Sequence, residues 1–508
     1  MIIDGLSLKF VRWASRRISI IGSGPSGFYT AYRLLNKSPE PIHVTIWEKL
    51  PIPYGLSRYG VAPDHPEVKN CEDTFSECAE TFGEGRDGRK FSFVGGVRVG
   101  SDELPLQQLL KQEDAVILAY GCQSSRALNI PGEDASGVFS SRDFVNWYNG
   151  HPDFANDKRF TDFDWSQVRR VGIIGHGNVA LDITRVLMTN RLDDIWHPTD
   201  ISKLAIDKLK QAPIQQVKMI ARRDFLHSKF TNRELRELWE IERFGVRGKI
   251  NAKYFHPGLF TDAQLKDRPF KRRVEMCQEY LTPFDQRTKK NYKKHGPPPV
   301  EHSHWELDYL KTPLEIKTND QGRIESLQLC ENELTSENRV KQLPNSELNY
   351  KIDLLITSLG YKGQPMPEFK QLAVKWLGNR IASDRGRVLS TQDKPIQRLY
   401  AAGWISKGSQ GVIAATMQDS FDVADQNIGS APNAKRIGNV VQFYKSLPQG
   451  PAPAVKPTGL IARYKARYFD GENASGKPLW HLALSILVMG YSLEYYFHLR
   501  HSKNGEHH

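Results

Sequence analysis

Three glycines near the start of the chain have the spacing of a phosphate-binding turn. Gly22, Gly24 and Gly27 follow a short apolar run at 18–21 and precede apolar residues at helical spacing. Such a turn lets the backbone approach a pyrophosphate closely, and the free N–H groups and positive dipole of the next helix attract the anion. A tight strand–helix turn that binds no ligand is the alternative.

An acidic residue lies where a nucleotide site of this kind needs one. A second apolar run, 43–47, ends at Glu48, about 20 residues after the third glycine. A carboxylate at this place can accept hydrogen bonds from a ribose diol. Strand, glycine turn, helix, strand and terminal acid together predict a dinucleotide-binding fold.

The glycine motif occurs a second time and ends differently. Gly175 and Gly177 follow another apolar run, and the strand predicted at 216–221 ends in Arg222 and Arg223. Paired guanidinium groups at this place can clamp a 2′-phosphate, which would select NADP(H) over NAD(H). A solvated basic pair at a strand end is the alternative.

Apolar runs later in the chain define the domain organisation. The runs at 354–361 and 399–404 indicate buried strands, and a helical pattern follows the second one. The sequence therefore predicts an α/β protein with two Rossmann-like dinucleotide-binding folds. One consists of residues 17–122 and 355–427, and the other, 123–354, is inserted into it.

Composition narrows the chemistry. The chain has 508 residues, a net charge of +12 and five cysteines. No C-x-x-C pair occurs, which argues against a dithiol redox centre, a metal site and an iron–sulfur cluster of the chain's own. Scattered cysteines suit a reducing compartment. The positive charge suggests an acidic partner, nucleic acid or an anionic membrane surface. Of these, we predict no nucleic-acid partner.

The N-terminal residues, 1–16, are basic with interleaved apolar side chains and contain a single acid, Asp4. This pattern favours a short mitochondrial presequence. A frayed basic N-terminus is the alternative.

An apolar run near the C-terminus indicates a membrane helix. Residues 480–497 are mostly apolar, with Trp480 at one end and Tyr495, Tyr496 and Arg500 at the other. A span needs roughly 17–25 residues, and aromatic and basic flanks are typical of its interfaces. We therefore expect a single membrane-spanning helix, and a buried amphipathic helix is the alternative.

Residues 17–425 resemble the adrenodoxin reductase family, the mitochondrial ferredoxin–NADP reductases. The resemblance rests on APDHPEVKN from Ala62, WYNG from Trp147, GHGNVALDITRVL from Gly175 and GWISKGSQGVIAATMQDS from Gly403. It implies a flavoprotein that passes electrons from NADPH through FAD to an acidic [2Fe–2S] ferredoxin, for iron–sulfur, haem or steroid-type synthesis. A glutamate-synthase-type or disulfide flavin reductase is the runner-up, and the absent C-x-x-C argues against the disulfide class.

The same resemblance assigns the site residues. FAD would contact the first glycine turn, the acid after the second strand and a flavin-side group: Gly22, Gly24, Ser26, Gly27, Glu48, Leu56, Val99, Trp404, Gly411, Val412 and Ile413. NADP(H) would contact the second turn and the arginine pair: Gly175, His176, Gly177, Asn178, Val179, Arg222 and Arg223. His65 and Glu234 would lie near the flavin–nicotinamide junction, with roles in positioning and proton handling. For His65 a purely structural role is the alternative.

Six basic residues are candidates for the surface that receives the acidic ferredoxin: Lys229, Arg233, Arg236, Lys271, Arg272 and Arg273. The first three have the spacing of one helix face. A merely solvated basic face is the alternative.

Residues 428–508 resemble a second family, the small F subunit of the fungal mitochondrial ATP synthase. SLPQGPAP from Ser446 and EYYFHLRH from Glu494 are the specific motifs. This implies a small membrane subunit of the proton-translocating sector, and thus an inner-membrane location with the reductase part facing the matrix. The join is either a natural fusion or two neighbouring reading frames merged in the gene model. A structural membrane subunit with the reductase joined only in the gene model is therefore an alternative function.

Overall fold

The structure is a computed structural model. The part of the chain that it describes comprises residues 15–409, 413–428, 464, 468 and 476–499. The chain divides into two units, Met1–Ser430 and Ala431–His508, which we describe separately.

The first unit starts with strands and short helices in alternation. In chain order these elements are β1 (Arg16–Ile21), α1 (Pro25–Lys37), β2 (Ile42–Trp47), α2 (Leu56–Tyr59), α3 (Pro66–Lys69), α4 (Cys71–Gly83), β3 (Arg89–Val94), α5 (Leu106–Gln112) and β4 (Ala115–Leu118). Every residue of β4 is buried, as are Ile18, Ile20 and Ile21 of β1. Such runs form strands because parallel sheets are covered on both faces and do not need alternating polarity.

The chain then builds a second set of elements. These are β5 (Ser124–Ser125), β6 (Val138–Ser140), α6 (Ser141–Tyr148), α7 (Lys158–Thr161), β7 (Arg170–Ile174), α8 (Asn178–Met188), α9 (Asp193–Trp196), α10 (Lys203–Leu209), β8 (Gln216–Ile220), α11 (Asn232–Glu240), β9 (Val246–Ile250), α12 (Asp262–Leu265), α13 (Arg268–Leu281) and β10 (Ser303–Asp308). A large aromatic core supports them, in which Trp147 stacks on Trp165 with ring centroids 5.2 Å apart.

The remaining elements of the first unit are mostly strands. They are β11 (Lys311–Thr318), β12 (Ile324–Leu334), β13 (Val340–Lys351), β14 (Leu354–Thr357), β15 (Tyr361–Lys362), β16 (Ser383–Asp384), β17 (Arg387–Leu389), β18 (Pro395–Ala401), α14 (Trp404–Lys407) and α15 (Ile413–Ile428). Strands β11, β12 and β13 form an antiparallel sheet of their own.

Two larger sheets organise the unit. The seven-stranded sheet has the order β16-β17-β18-β4-β1-β2-β3, so strands from the far end of the chain complete it. The six-stranded sheet, β6-β14-β7-β8-β10-β9, is parallel throughout. Because β14 pairs within this second sheet, the chain leaves it after Thr357, three residues beyond the boundary expected from the sequence. The connections between the sheets pair with each other, Tyr361 opposite Ser125.

The proline- and glycine-rich loop after β2 contacts elements of the second sheet. Asn149, at the end of α6, donates from Nδ2 to the carbonyls of Tyr59 and Val61, at 3.0 and 3.1 Å. Lys69 Nζ lies 2.5 Å from Asp200 Oδ2. The loop is therefore positioned by both folds, close to the crevice at the carboxyl ends of their parallel strands, where α/β sheets bind ligands.

At both chain termini the structure differs from what the sequence predicts. Arg16, which we assigned to a presequence, begins β1, while residues 1–14 lie outside the described residues. The C-terminal unit contains α16 (Lys477–Glu494) with exposed apolar side chains, followed by a π-helical turn, Tyr495–Leu499.

The expected membrane-spanning helix at 480–497 is not supported. None of the helices in the described part of the chain has the length and apolar character that crossing a membrane requires. Helix α16 ends at Glu494 and includes Lys477 and His481, and these polar residues lower its mean hydropathy. Arg500 lies outside the described residues.

Candidate active site

The first glycine turn leaves the start of α1 open. Gly22 has φ +103°, and a Cβ there would lie 2.7 Å from the Ala119 carbonyl oxygen. A Cβ on Gly27 would lie 2.0 Å from the Gly22 carbonyl oxygen. Gly24 differs, because it caps α1 without a side-chain hydrogen bond and has no atom within 4 Å of an added Cβ. Gly22 and Gly27 thus pack tightly against neighbouring backbone, while the N–H groups at the start of α1 remain free to bind an anion.

Glu48 follows β2 directly and is bonded to the same turn. Its Oε2 accepts from the Ser23 backbone N–H at 2.9 Å and from the Ser23 hydroxyl, 2.7 Å away. Its Oε1 accepts from the Leu50 N–H at 3.0 Å. Ser26 is buried, and its hydroxyl lies 3.1 Å from that of Ser420. The bonds from Ser23 and Leu50 fix the orientation of the Glu48 carboxylate beside the open helix end.

A large cavity connects this turn to the second fold. Its volume is about 1130 Å³, above the roughly 300–1,000 Å³ of ordinary ligand pockets, so it has room for an extended dinucleotide. Twelve of the predicted site residues line it: Gly22, Gly24, Ser26, Glu48, Leu56, His65, Val99, Asn178, Val179, Glu234, Trp404 and Ile413. Six others do not: Gly27, Gly175, His176, Gly177, Arg222 and Arg223. Gly411 and Val412 lie outside the described residues.

The second glycine turn has the same construction. Gly175 has φ +125°, and a Cβ there would lie 2.2 Å from the Ser358 carbonyl oxygen. Gly177 caps α8 without a side-chain hydrogen bond and has open space where a Cβ would be. The residues of both turns therefore fit a phosphate-bearing cofactor, because the glycine at each helix start has no side chain to occupy the N–H groups and leaves open space in front of them.

The side chain of His176, between these two glycines, packs inside the fold. Its Nε2 lies 2.9 Å from the Met219 carbonyl oxygen, and its ring packs edge-on against Tyr309. Burial lowers the pKa of His176 to about 4, so the ring is neutral at physiological pH. Only the main chain of this residue is available to a cofactor.

Arg222 and Arg223 follow β8, as the sequence predicts, and both are exposed. Neither guanidinium forms an ion pair within the part of the chain that the structure describes. The two guanidinium groups are thus free to bind an anion at this edge of the sheet.

Asn178, at the start of α8, links the second turn to the start of α11. Its Oδ1 accepts from the Thr231 N–H at 2.8 Å.

His65 lies in a cluster of charged residues drawn from three elements. Its Nε2 is 2.6 Å from Glu237 Oε2, and its Nδ1 is 4.0 Å from Glu234 Oε2. Arg185 of α8 occupies the middle, with its Nε 2.5 Å from Asp64 Oδ2 and its Nη2 3.0 Å from Asp182 Oδ1. Four carboxylates therefore share one guanidinium and one imidazole.

Burial and neighbouring charges separate the pKa values in this cluster. Burial, followed by repulsion from Asp182, raises the pKa of Glu234 to about 7. Burial raises the pKa of Glu237, but the hydrogen bonds with His65 and Arg233 and the positive charges of His65 and Arg185 together outweigh burial, and the pKa of Glu237 falls to about 2. For His65 burial lowers the pKa, yet the hydrogen bond to Glu237 and the negative charges of Asp64 and Asp182 together outweigh burial, and the net shift is upward. Glu234 is therefore a carboxylic acid that can exchange a proton near neutral pH.

Three residues of this cluster have the side-chain types and separations of a possible metal site. The ligand atoms of His65, Glu234 and Glu237 lie within 4.8 Å of one another, a separation that would suit a divalent cation. However, Arg185 Nη1 lies 3.8 and 3.9 Å from the two glutamates and already supplies their countercharge. The donor set therefore favours an ion-pair network over a metal centre.

Four members of the cluster do not appear among the residues predicted from the sequence: Asp64, Asp182, Arg185 and Glu237. A signal for Glu237 was present, since it follows Glu234 at i+3 on the same helix face. Asp182 and Arg185 are charged residues on the otherwise apolar helix α8, which is also a sign of a buried functional pair.

The six predicted partner-binding cations separate into two groups. Lys229, Arg236, Lys271 and Arg272 are exposed. By contrast, Arg233 is bonded to Glu67 and Glu237, and the half-buried Arg273 donates to the carbonyls of Ser228 and Phe230. Lys229 also precedes α11, whose first residue is Asn232, so the predicted shared helix face is wrong for Lys229.

Comparison with known proteins identifies relatives that match most of the chain. The chain is 62% identical over 418 residues to the probable mitochondrial NADPH:adrenodoxin oxidoreductase of Saccharomyces cerevisiae, covering 81% of this chain and 84% of that protein. It is 36% identical to the corresponding probable enzyme of Schizosaccharomyces pombe, covering 80% and 81%. The structure of Mycobacterium tuberculosis FprA in complex with NADPH matches with a TM-score of 0.68 and 33% identity, covering 85% and 86%.

A family model matches the end of the chain. Residues 422–500 match the model that describes the F subunit of the mitochondrial F1-F0 ATP synthase of fungi. The matched range begins within α15 of the first unit. The two resemblances seen in the sequence are thus both found. By the identity and coverage of its relatives, the chain belongs to the NADPH:adrenodoxin oxidoreductase family and is an FAD-dependent NADPH oxidoreductase.

Proposed function

We propose that this chain passes electrons from NADPH, through FAD, to an acidic [2Fe–2S] ferredoxin in the mitochondrion. The observation that carries the proposal is a cavity lined by residues of or next to both glycine turns, by Gly24 and Ser26 on one side and by Asn178 and Val179 on the other. The names of the relatives support a mitochondrial location and an adrenodoxin-like acceptor for the family.

FAD would be bound by the first fold. The pyrophosphate would meet the N–H groups at Gly24 and Ser26, and Glu48, held by Ser23, would accept from the ribose. Leu56, Val99, Trp404 and Ile413, which line the cavity, would cover the flavin. Gly22 and Gly27 act from behind by permitting the close packing of the turn.

NADP(H) would be bound by the second fold. Gly177, Asn178 and Val179 would hold its pyrophosphate at the start of α8. The exposed pair Arg222 and Arg223 would bind the 2′-phosphate as a bidentate clamp, because planar guanidinium groups match the geometry of phosphate oxygens.

The chain's own residues then bring the two nucleotides together and keep water away. Bound FAD supplies the chemistry, since a flavin accepts a hydride as two electrons and releases electrons singly. Glu234 and His65, at the junction of the two folds, orient the reacting ends and hold a proton nearby. Glu237 and Arg185 hold His65 and Glu234 in place from behind.

The exposed cations near α11 and α13 are the proposed docking surface for the ferredoxin. Asn232 of α11 donates to the Pro269 carbonyl oxygen at 2.8 Å, so the two helix starts are adjacent. Arg236, Lys271 and Arg272 have no ion-pair partner among the described residues, and their charge is free for an acidic surface. Arg233 can take part only by releasing Glu67 or Glu237.

A charge reversal tests this function. The FAD-loaded full chain should reduce a cytochrome through added ferredoxin, with NADPH as donor. Arg236→Glu should raise the KM for ferredoxin about tenfold, more at low salt, and leave NADPH-dependent ferricyanide reduction unchanged. Lys317→Glu is the matched control, because Lys317 is an exposed cation on strand β11, which belongs to the separate three-stranded sheet. A chain that holds no FAD, or a ferredoxin KM that no cation in this group affects, would contradict the proposal.

We further propose that the segment matched at 422–500 associates the chain with the mitochondrial ATP synthase. The observations that favour this are the family match and the exposed apolar side chains along α16. The test is the mass of the polypeptide in purified ATP synthase. A band at 57.9 kDa containing peptides of both parts supports the association. If the matched segment occurs there only in a polypeptide of about one tenth of this mass, the association is contradicted.

A further inference from the structure

The turn that carries Arg222 and Arg223 is held from behind by one small part of the fold. The Ala221 N–H donates to the Asp308 carbonyl at 2.9 Å, and the Ala221 carbonyl accepts from the Lys311 N–H at 3.0 Å. The Arg223 carbonyl accepts from the Leu310 N–H at 3.3 Å. All three bonds join main chain to main chain, so they do not depend on which side chains are present.

The Arg222 carbonyl is bonded differently. It accepts from the side-chain Nδ2 of Asn332, at 3.1 Å. Asn332 is buried, and its Oδ1 accepts from the Thr312 hydroxyl at 3.0 Å. This pair of partners determines the orientation of the amide, because a carbonyl can only accept and the hydroxyl can donate.

The position of Asn332 has a structural origin. The register of β12 against β13 shifts between Cys330 and Asn332, and the Asn332 N–H bonds to the Leu310 carbonyl at 2.8 Å. Leu310 has φ +55°, in the tight connection from β10 to β11. A buried ion pair, Lys311 Nζ to Asp308 Oδ1 at 2.5 Å, holds this connection. Bulges of this kind re-aim a side chain next to a functional site.

We propose that Asn332 is a positioning residue for coenzyme specificity. By holding the Arg222 carbonyl it keeps the turn in the conformation from which both guanidinium groups meet the 2′-phosphate, and it does not touch the coenzyme itself. The inference rests on the proposed function of Arg222 and Arg223. The physical reason is preorganisation: long exposed arginines bind an anion better when their backbone need not be ordered on binding.

Ligand binding measured by calorimetry on the FAD-loaded full chain tests the inference without turnover. The probes are 2′,5′-ADP, which has the 2′-phosphate, and 5′-AMP, which lacks it. Asn332→Ala should weaken 2′,5′-ADP about five- to tenfold and leave 5′-AMP within about twofold, as expected from the loss of one buried hydrogen bond. Thr312→Val keeps the amide but removes the donor that orients it, and should weaken 2′,5′-ADP about two- to threefold, whereas Thr312→Ser should restore it.

Matched variants separate the possible failures. Asn349→Ala, at an exposed position on β13 of the same sheet, should change neither affinity. If Arg222→Ala weakens 2′,5′-ADP but Asn332→Ala and Thr312→Val do not, the inference is overturned and the arginine assignment stands. If Arg222→Ala and Arg223→Ala leave 2′,5′-ADP binding unchanged, the assignment itself is wrong. Equal weakening of both probes in Asn332→Ala and Thr312→Val would mean a general structural role and would also overturn the inference.

Discussion

His65 Nε2 and Glu237 Oε2 lie 2.6 Å apart although 172 residues separate them in the chain. His65 comes from the proline-rich loop after β2, and Glu237 from α11, which follows β8 of the second sheet. The imidazole is thus oriented by a carboxylate that belongs to the other fold. The glutamate predicted beside it, Glu234, is farther away at 4.0 Å.

Glu237→Gln should lower the pKa of His65, because the carboxylate bond that raises it is lost. The limb of the pH–rate profile that belongs to His65 should therefore move to lower pH. Stopped-flow measurement of flavin reduction by NADPH across pH 5–9 would show the shift. Arg236→Gln, on the exposed face of the same helix, should leave the profile in place, and an unmoved profile in Glu237→Gln would show that His65 does not control the rate.

Glu234→Gln should change how stability depends on pH. The pKa of Glu234 is raised from 4.5 to about 7 in the folded protein, so between these values the folded state binds more protons than the unfolded state. This group therefore makes the wild type less stable as the pH rises through that window. Glutamine lacks the effect, and the variant should gain about 1–2 kcal/mol over the wild type between pH 4.5 and 7, after allowance for solvent screening.

Thermal unfolding at several pH values measures this difference. Glu325→Gln, an exposed position on β12, serves as the control and should run parallel to the wild type. A gap between Glu234→Gln and the wild type that stays constant with pH would contradict the raised pKa.

Gly24→Ala and Gly27→Ala should impair different properties, FAD affinity in the first variant and stability of the fold in the second. A Cβ on Gly27 meets the Gly22 carbonyl oxygen at 2.0 Å, so alanine there should destabilise the fold itself, by about 3 kcal/mol. A Cβ on Gly24 meets no atom within 4 Å, so the apoprotein should keep its stability within about 1 kcal/mol while FAD affinity falls at least about tenfold. Unfolding of the apoprotein and fluorescence titration with FAD separate the two, and equal FAD affinity in Gly24→Ala and wild type would refute the anion-site assignment.

Truncated chains should show which residues at the end of α15 the reductase part needs in order to bind FAD. In the last turns of α15, Val423 and Ala424 are buried, and Asp425 makes two bonds of 2.8 Å with Arg33 of α1. Loss of these residues should lower the free energy of unfolding by about 3 kcal/mol, mostly from apolar burial because the ion pair is exposed, and lower the melting temperature by roughly 3–4 °C for a unit of this size. A chain of residues 1–428 should therefore purify with FAD, and one of residues 1–421 should not. Equal FAD content in both would show that the helix end contributes little.

Local patterns in the sequence were sufficient for the main elements of the fold and for the cofactor class. The glycine turns and the buried runs of β1, β4, β7 and β14 could be predicted because tight turns and doubly covered parallel strands constrain neighbouring residues. The same holds for Glu48, which follows its strand directly. The assignment of the site residues to FAD and NADP(H) stays a prediction.

Only the tertiary structure decided where the long polar side chains go. The sequence predicted that Arg233 and Arg273 are free surface cations. In the structure both are bonded to residues distant in the chain, Arg233 to Glu67 and Arg273 to the Phe230 carbonyl oxygen. The partners of His65, the cluster around Arg185 and the bond from Asn332 to the Arg222 carbonyl follow from how separate elements pack, which no local spacing encodes. The sequence alone therefore determines strands, turns and cofactor chemistry, whereas packing between distant segments decides which charged groups are paired and which remain available for binding.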